Sequence, residues 1–279
     1  VYTQNPQKKN RGQKIGLTPI HEFSKQNNIK VRHPEKLNTN EEFEFFIKEK
    51  PDVVVVVAYG KILPKRLLDI QNIKFINVHA SLLPKWRGAA PIQRSIMNLD
   101  TETGISIIKI IEKLDAGPIM MKSKIKISLN DNYESISKAL SNLGAKMIVK
   151  SLQLIEQNKT EFIDQDEKLA SYAKKINKSE AKIDWNENAN KIVAKINALY
   201  PFPGSWFIHN GSRIKITKAL ESSLQGKPGQ ILKENFTIAC KKNSIEVLEL
   251  QKEGKKKLKT SEYLKGNKLE IGTIVGKDL

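Results

Sequence analysis

Two apolar runs with a short amphipathic stretch between them constrain the fold of this chain more than any other feature. "DVVVVVAYG" (52–60) and "KFINVHA" (74–80) have the length of strands, and "LPKRLLDI" (63–70) has the length of a short helix. A strand that is apolar at consecutive positions is expected to be buried on both faces, as in a parallel sheet covered by helices. The alternation continues on both sides. "LTPIHEFSKQNN" (17–28) reads as a helix with Thr18 as N-cap and Pro19 in its first turn. "IKVRHP" (29–34) reads as a brief strand, and "NTNEEFEFFIKEKP" (38–51) as an amphipathic helix that stops before Pro51. Further on, "APIQRSIMNL" (90–99) reads as a helix, and "TGISIIKII" (103–111) and "GPIMMKSKIKI" (117–127) as strands. The stretch 132–157 reads as a long helix whose apolar stripe is Ile136, Leu140, Leu143, Met147 and Leu154. This order predicts an α/β domain with a parallel sheet over residues 1–157. Its ligand site should lie past the carboxyl ends of the strands.

From residue 158 the periodicity fades, and 158–176 reads as a linker. Residues 177–279 hold a helix at 188–199 and then several short strands with turn signals. Asn210-Gly211 is a strong hairpin turn. Short strands at this spacing suggest a small OB-like β-barrel. The first sixteen residues are polar and punctuated by Asn, Pro and Gly, which reads as a loop. They carry Lys8, Lys9, Arg11 and Lys14 and no acid.

Charge and cysteine content narrow the function classes. The net charge is +18. Residues 177–279 carry 19 Lys and Arg against 11 Asp and Glu, and residues 1–176 carry 29 against 19, so both parts are basic. Such a field gathers polyanions, nucleic acid among them, although a Lys-rich solvated surface gives the same balance. A single cysteine, Cys240, excludes an internal disulfide and fits a reducing, cytoplasmic compartment. With no His near it in sequence, Cys240 reads as a buried strand residue rather than a nucleophile. No apolar run is long enough to span a membrane. The opening "VYTQNPQKKNRGQK" has neither an initiating Met nor an export segment, and reads as a chain that begins partway through a fold.

The chemistry concentrates where the second apolar run ends. Asn77 and His79 share side-chain parity on a strand, so both can face one side. An amide donor beside an imidazole suits a carbonyl that becomes an oxyanion, and imidazole can move a proton near neutral pH. Asp115, in the turn "LDAGPIM", is the candidate to orient the imidazole, provided its strands neighbour the Asn-His strand. Each of these residues alone also has a plain structural reading. His21, His33, His79 and His209 lack metal-ligand spacing and there is no cysteine pair, so no metal is expected. No phosphate-loop or dinucleotide fingerprint occurs, and no serine sits in a nucleophile elbow.

"INVHASLLPKWRGAAPIQRSI" (76–96), with "VVVVVAYGKILPK" before it and "TGISIIKIIEKLDAGPIM" after it, closely resembles the methionyl-tRNA formyltransferases. "SYAKKINKSEAKIDW" (171–185) is similar to their inter-domain segment, and "YPFPGSW" (200–206) to the opening of their C-terminal barrel. The resemblance implies a Rossmann-like formyltransferase domain at 1–157, with the family's first strand and helix missing before Val1. It implies an OB-like tRNA-binding domain at 177–279. Asn77, His79 and Asp115 match the family's catalytic trio, and Ser81, Leu82, Leu83 and Pro84 the segment lining its folate site. "KKNRGQK" resembles an inserted loop that contacts tRNA, which implies that role for Arg11 and Lys14. In that loop "NPQKKN" replaces a more Pro- and Gly-rich stretch. The implied reaction moves a formyl group from 10-formyltetrahydrofolate to the α-amino group of methionyl initiator tRNA, without a metal, and a monomer is expected. Two readings compete: the same chemistry on a small amine of a nucleotide or amino sugar, and a non-catalytic nucleic-acid-binding protein.

Overall fold

The computed structural model describes residues 1–9 and 14–276. Its first element is an antiparallel ladder of β1 (Gln7–Lys9) and β2 (Lys14–Gly16). A loop is expected over these residues, because the run has no apolar alternation to announce a strand. The helix α1 (Pro19–Gln26) starts as expected, with Thr18 Oγ1 accepting from the His21 N–H at 3.1 Å. In the next helix, α2 (Asn40–Lys48), Thr39 caps in the same way through the Glu42 N–H at 3.3 Å. The strand expected at 29–34 is reduced to a single bridge between Arg32 and Tyr2. Arg32 is instead tied by its side chain: its guanidinium pairs with Glu42 and lies 4.0 Å from the Phe45 ring centre.

Strand β3 (Val53–Val56), helix α3 (Lys65–Leu68), strand β4 (Lys74–His79), the short β5 (Arg87–Gly88), helix α4 (Pro91–Met97), β6 (Glu102–Lys109) and β7 (Ile119–Lys126) follow. Four of these strands form one sheet in the order β3-β4-β6-β7. The pairing of β3 with β4 is parallel, with Val56 opposite Asn77. The pairing of β4 with β6 is antiparallel, with Asn77 opposite Ile108 and His79 opposite Ser106. The domain is α/β as expected, but its sheet is mixed rather than parallel. A consecutive apolar run such as β6 reads the same in either direction, and the connection over 80–101 is long enough for either return, so the residue pattern leaves the direction of β6 open. The expectation that the valine run is buried on both faces also fails: β3 ends the sheet order, and Val55 and Val57 are exposed. The strand buried along most of its length is β6, from Thr103 to Ile108.

The long helix α5 (Tyr133–Glu156) buries Ile136, Leu140, Met147, Ser151 and Ile155. The stretch expected as a linker carries β8 (Tyr172–Ala173), which pairs in parallel with β5. After it come α6 (Ala189–Leu199), β9 (Ser205–His209), β10 (Ser212–Ser222), β11 (Ile231–Lys233), β12 (Thr237–Ala239), β13 (Ser244–Lys252), β14 (Leu258–Lys259) and α7 (Thr260–Leu264). The six strands form an antiparallel sheet in the order β11-β12-β13-β10-β9, with β14 beside β13. No pairing among the described residues joins β11 to β9, so the expected OB-like barrel is not closed. Asn210 and Gly211 turn β9 into β10 with φ of 48° and 65°, the positive values a two-residue hairpin turn of this type requires. The sheet's interior is apolar and includes Ile192 and Ile196 of α6. Phe207 meets Trp185 and Phe236 edge-on, with ring centres 5.4 and 6.1 Å apart.

The chain divides into two compact units that interleave along the sequence, whereas the expected domains are consecutive. One comprises Val1–His79, Ser106–Met121 and Met147–Asp166; the other comprises Ala80–Ile105, Lys122–Lys146 and Glu167–Leu279. Among the described residues, no helix is long and apolar enough to cross a membrane.

Candidate active site

The last residues of β4 and the loop after β6 build a polar cluster inside the first unit. The antiparallel pairing of β4 with β6 starts that loop beside the amino half of β4, with Lys109 opposite Ile76 and the Ile110 N–H donating to Phe75 O at 2.8 Å, and its later part carries Asp115 to Asn77 and His79. The Lys109 N–H donates to Pro118 O at 2.9 Å, closing a tight connection over 110–117. Gly117 lies against Lys109 O so closely that a Cβ at this position would overlap the carbonyl oxygen. Asp115 sits in the turn with φ 47°. Its carboxylate faces both groups of β4. Asn77 Nδ2 donates to Oδ1 at 3.3 Å, and His79 Nδ1 lies 3.5 Å from Oδ2. The second distance is longer than an ordinary N–H···O bond, as is common in sites that tighten only on substrate. The His79 and Asp115 side chains are only 6% and 12% exposed, so charges here are weakly screened by water. The structure thus brings Asn77, His79 and Asp115 together.

Sequence reasoning missed Gln165. The main chain of Ile163 pairs with Ile119, N–H to O in both directions at 2.8 and 2.9 Å. This bridge carries Gln165 to the loop, where its Nε2 donates to Asp115 O at 2.8 Å and to Gly117 O at 2.7 Å. The only signal in the sequence was the apolar pair Phe162-Ile163 just before a glutamine, inside a polar run.

The segment Ser81–Pro84 belongs to the second unit. The Ser81 hydroxyl is buried and donates to Lys85 O at 2.6 Å. Leu83 is buried as well, and its carbonyl accepts from Lys122 Nζ at 3.3 Å. Leu82 packs over Gly104, where a Cβ would stand 2.5 Å from Leu82 Cδ2. A ligand lying on this segment would therefore meet the half-buried Leu82 and Pro84 and the main chain, not the Ser81 or Leu83 side chains.

Arg11 lies outside the described residues, and Lys14 is the first residue of β2. Trp86 is anchored by its indole N–H to Asp100 Oδ2 at 2.7 Å, and Trp206 lies under the Arg213 guanidinium at 4.0 Å. Lys257 pairs with Glu249 at 2.8 Å. An open cleft of about 660 Å³ in the second unit is lined by Arg94, Glu180, Lys191, Lys195 and Lys241 among others, and by none of the polar trio. There the Arg94 guanidinium holds the Glu180 carboxyl below the usual carboxylate range. Cys240 is fully buried, and burial pushes its thiol up to about 12, which removes the thiolate near neutral pH. Among the described residues, no group of three or more His, Cys, Asp or Glu is placed to hold a metal ion.

Comparison with known proteins connects these features. Residues 1–152 match the family model for formyl transferase, and residues 175–268 match that for the formyl transferase C-terminal domain. The chain belongs to the formyl transferase family. Among formyl transferases, it is 48% identical over 277 residues to the methionyl-tRNA formyltransferase of Pelagibacter ubique, covering 99% of this chain and 89% of that protein. It is 42% identical over 281 residues to the methionyl-tRNA formyltransferase of Dictyoglomus thermophilum, covering 98% and 90%. Solved structures share the fold at lower identity. An N-formyltransferase from Helicobacter canadensis, in complex with folinic acid and dTDP-3-aminofucose, aligns with a TM-score of 0.66 at 22% identity, covering 90% of this chain and 87% of that one. HypX from Aquifex aeolicus, in complex with tetrahydrofolic acid, aligns at 0.62 and 18%, covering 89% and 47%.

Proposed function

We propose that this formyl transferase moves the formyl group of 10-formyltetrahydrofolate onto the α-amino group of methionyl initiator tRNA, in support of translation initiation. The observation that carries the reading is the convergence of Asn77, His79 and Asp115 in a chain similar along nearly its whole length to methionyl-tRNA formyltransferases. The folate supplies the formyl carbon: a bond forms from the amine nitrogen to that carbon, its bond to the folate nitrogen breaks, and the amine's proton ends on the leaving nitrogen.

The chain's own residues account for the rest. A free α-amino group has a pKa of roughly 8, so a sizeable share is already the unprotonated nucleophile near neutral pH. As the amine adds, the formyl oxygen gathers negative charge. Asn77 gives one amide N–H to Asp115 and has a second N–H for that oxygen. His79 turns Nδ1 towards Asp115, so Nε2 is its donor for substrate. Each preorganised donor of this kind lowers a barrier by about 3–4 kcal/mol. Asp115 orients both side chains and takes the amine proton, directly or through a water. Leu82, Pro84 and the main chain of 81–84 would hold the folate. No metal is needed for any of these steps.

Recognition of tRNA falls to Arg11, Lys14 and the basic 177–279 region, proposed as an OB-like tRNA-binding domain joined by 158–176 to a catalytic domain at 1–157. Phosphate contacts of this kind make binding salt-sensitive. The protein is read as a cytoplasmic monomer. The test is an assay with labelled 10-formyltetrahydrofolate and either methionyl-tRNA or a small amine. Label on methionyl-tRNA is expected. Label on the small amine alone would replace the acceptor, and label on neither would overturn the reaction.

A further inference from the structure

We infer that Gln165 is a positioning residue that sets the aim of the Asp115 carboxylate. The inference rests on the proposed reaction for its catalytic consequence, and on geometry alone for its structural one. A single side-chain amide donates both of its N–H bonds to carbonyls of one loop, Asp115 O at 2.8 Å and Gly117 O at 2.7 Å. Both are near the best distance for N–H···O bonds. Because both partners only accept, the amide must present its nitrogen there, and its orientation is unambiguous. The two bonds straddle Ala116 and clamp the turn that carries Asp115. That turn needs clamping: Asp115 has φ 47°, a region that is unfavourable for a residue with a Cβ and persists where surroundings over-determine it. Gly117, the second clamped residue, is already pressed against Lys109 O. With the main chain fixed on both sides of Ala116, the Asp115 side chain leaves the loop in one direction, towards Asn77 and His79. Gln165 is itself held by the Ile163–Ile119 bridge, so the clamp has a rigid base.

The isosteric change Gln165→Glu separates this role from simple packing. It keeps the volume but sets carboxylate oxygens against two carbonyl oxygens, so the clamp becomes a repulsion. Gln165→Ala removes the clamp without adding one. The experiment compares both variants with the unaltered chain in kcat, in the Michaelis constants for methionyl-tRNA and folate, and in melting temperature. Asp115→Ala is made alone and combined with Gln165→Ala. A displaced carboxylate costs up to about 100-fold in rate, so Gln165→Ala is expected to lower kcat by about 10- to 100-fold with both Michaelis constants near those of the parent. Gln165→Glu should fall at least as far, and Gln165→Ala should cost nothing further once Asp115→Ala is present. Full additivity of the two losses, or parental kcat in Gln165→Glu, would overturn the inference. A readout independent of activity keeps the two proposals apart. In 15N-histidine spectra, with the signal of His79 assigned by its loss in His79→Gln, Gln165→Ala should move the His79 ring nitrogens in the same direction as Asp115→Ala. Unmoved His79 signals in Gln165→Ala would overturn the inference even if the parent formylated nothing, while parental inactivity would by itself sink only the proposed reaction.

Discussion

The interior behind β9–β13 and the polar cluster at the end of β4 are built on opposite rules. Behind the antiparallel sheet, inward positions are apolar and close on one another through Phe207, Phe236 and the isoleucines of α6 and β10. Two titratable groups lie beside Phe236: Tyr263, whose pKa is raised by burial, and His209, whose pKa is lowered by burial first and by Lys252 second. At the end of β4 an amide, an imidazole and a carboxylate share a nearly buried space because each satisfies another. The apolar cluster of that unit, around Phe46, Leu67 and Phe75, is small by comparison. The difference teaches where each region keeps its free energy: one in stability, the other in preorganised polar geometry.

Substitutions should separate the two. Phe207→Ala is expected to destabilise the protein most, by about 3–5 kcal/mol, because the site is fully buried and ringed by aromatics that cannot collapse into the gap. Formyl transfer per folded molecule should be unchanged, as read by denaturant unfolding beside an active-fraction assay. Loss of activity in step with intact fold would break the comparison. His79→Ala and Asp115→Ala are expected to do the reverse. His79→Ala should cost about 100- to 1000-fold in kcat, the range for removing one preorganised donor, and Asp115→Ala about 100- to 10,000-fold, the range for a general base, each with a melting curve and tRNA affinity close to the parent. Near-parental turnover in both would remove the assignment of the trio.

Smaller effects sharpen the contrast. Arg11→Ala should raise the Michaelis constant for methionyl-tRNA and reduce the salt slope of tRNA binding by about one, leaving folate binding alone. Weaker folate binding in that variant would contradict the role of the loop. The smallest effect concerns pH. Since the folded pKa of His209 is below its unfolded value, the unfolded chain takes up a proton first on acidification. The stability contributed by neutral His209 is whole above the unfolded pKa of about 6.5 and drains away as pH falls through the lowered folded value. Urea unfolding of His209→Gln between pH 7.5 and 5.5 should show a shallower decline than the parent. Equal slopes would mean that His209 is not held neutral.

Much of this contrast was legible in the sequence, for reasons that can be named. The parity of Asn77 and His79 follows from the period of a strand, and Thr18 and Asn210-Gly211 act through local hydrogen bonding and local φ. What escaped depends on distant partners. The direction of β6 against β4 escaped because a consecutive apolar run reads the same either way along the chain. Val55 reads as core by composition but lies on an end strand with its face open. In β10, irregular pairing between Ile216 and Ala219 breaks the simple alternation, so Ile216 and Ala219, three apart, both point inward. Gln165 escaped because its partners are main-chain carbonyls, which look the same in every sequence.

The pairing of Asn77 with Ile108 and of His79 with Ser106 has a consequence for quality control. A slip of β4 by one residue would turn both side chains to the opposite side of the sheet together. No misregistered molecule would keep one group and lose the other. A register slip would therefore lower turnover per milligram by silencing whole molecules rather than by slowing every one.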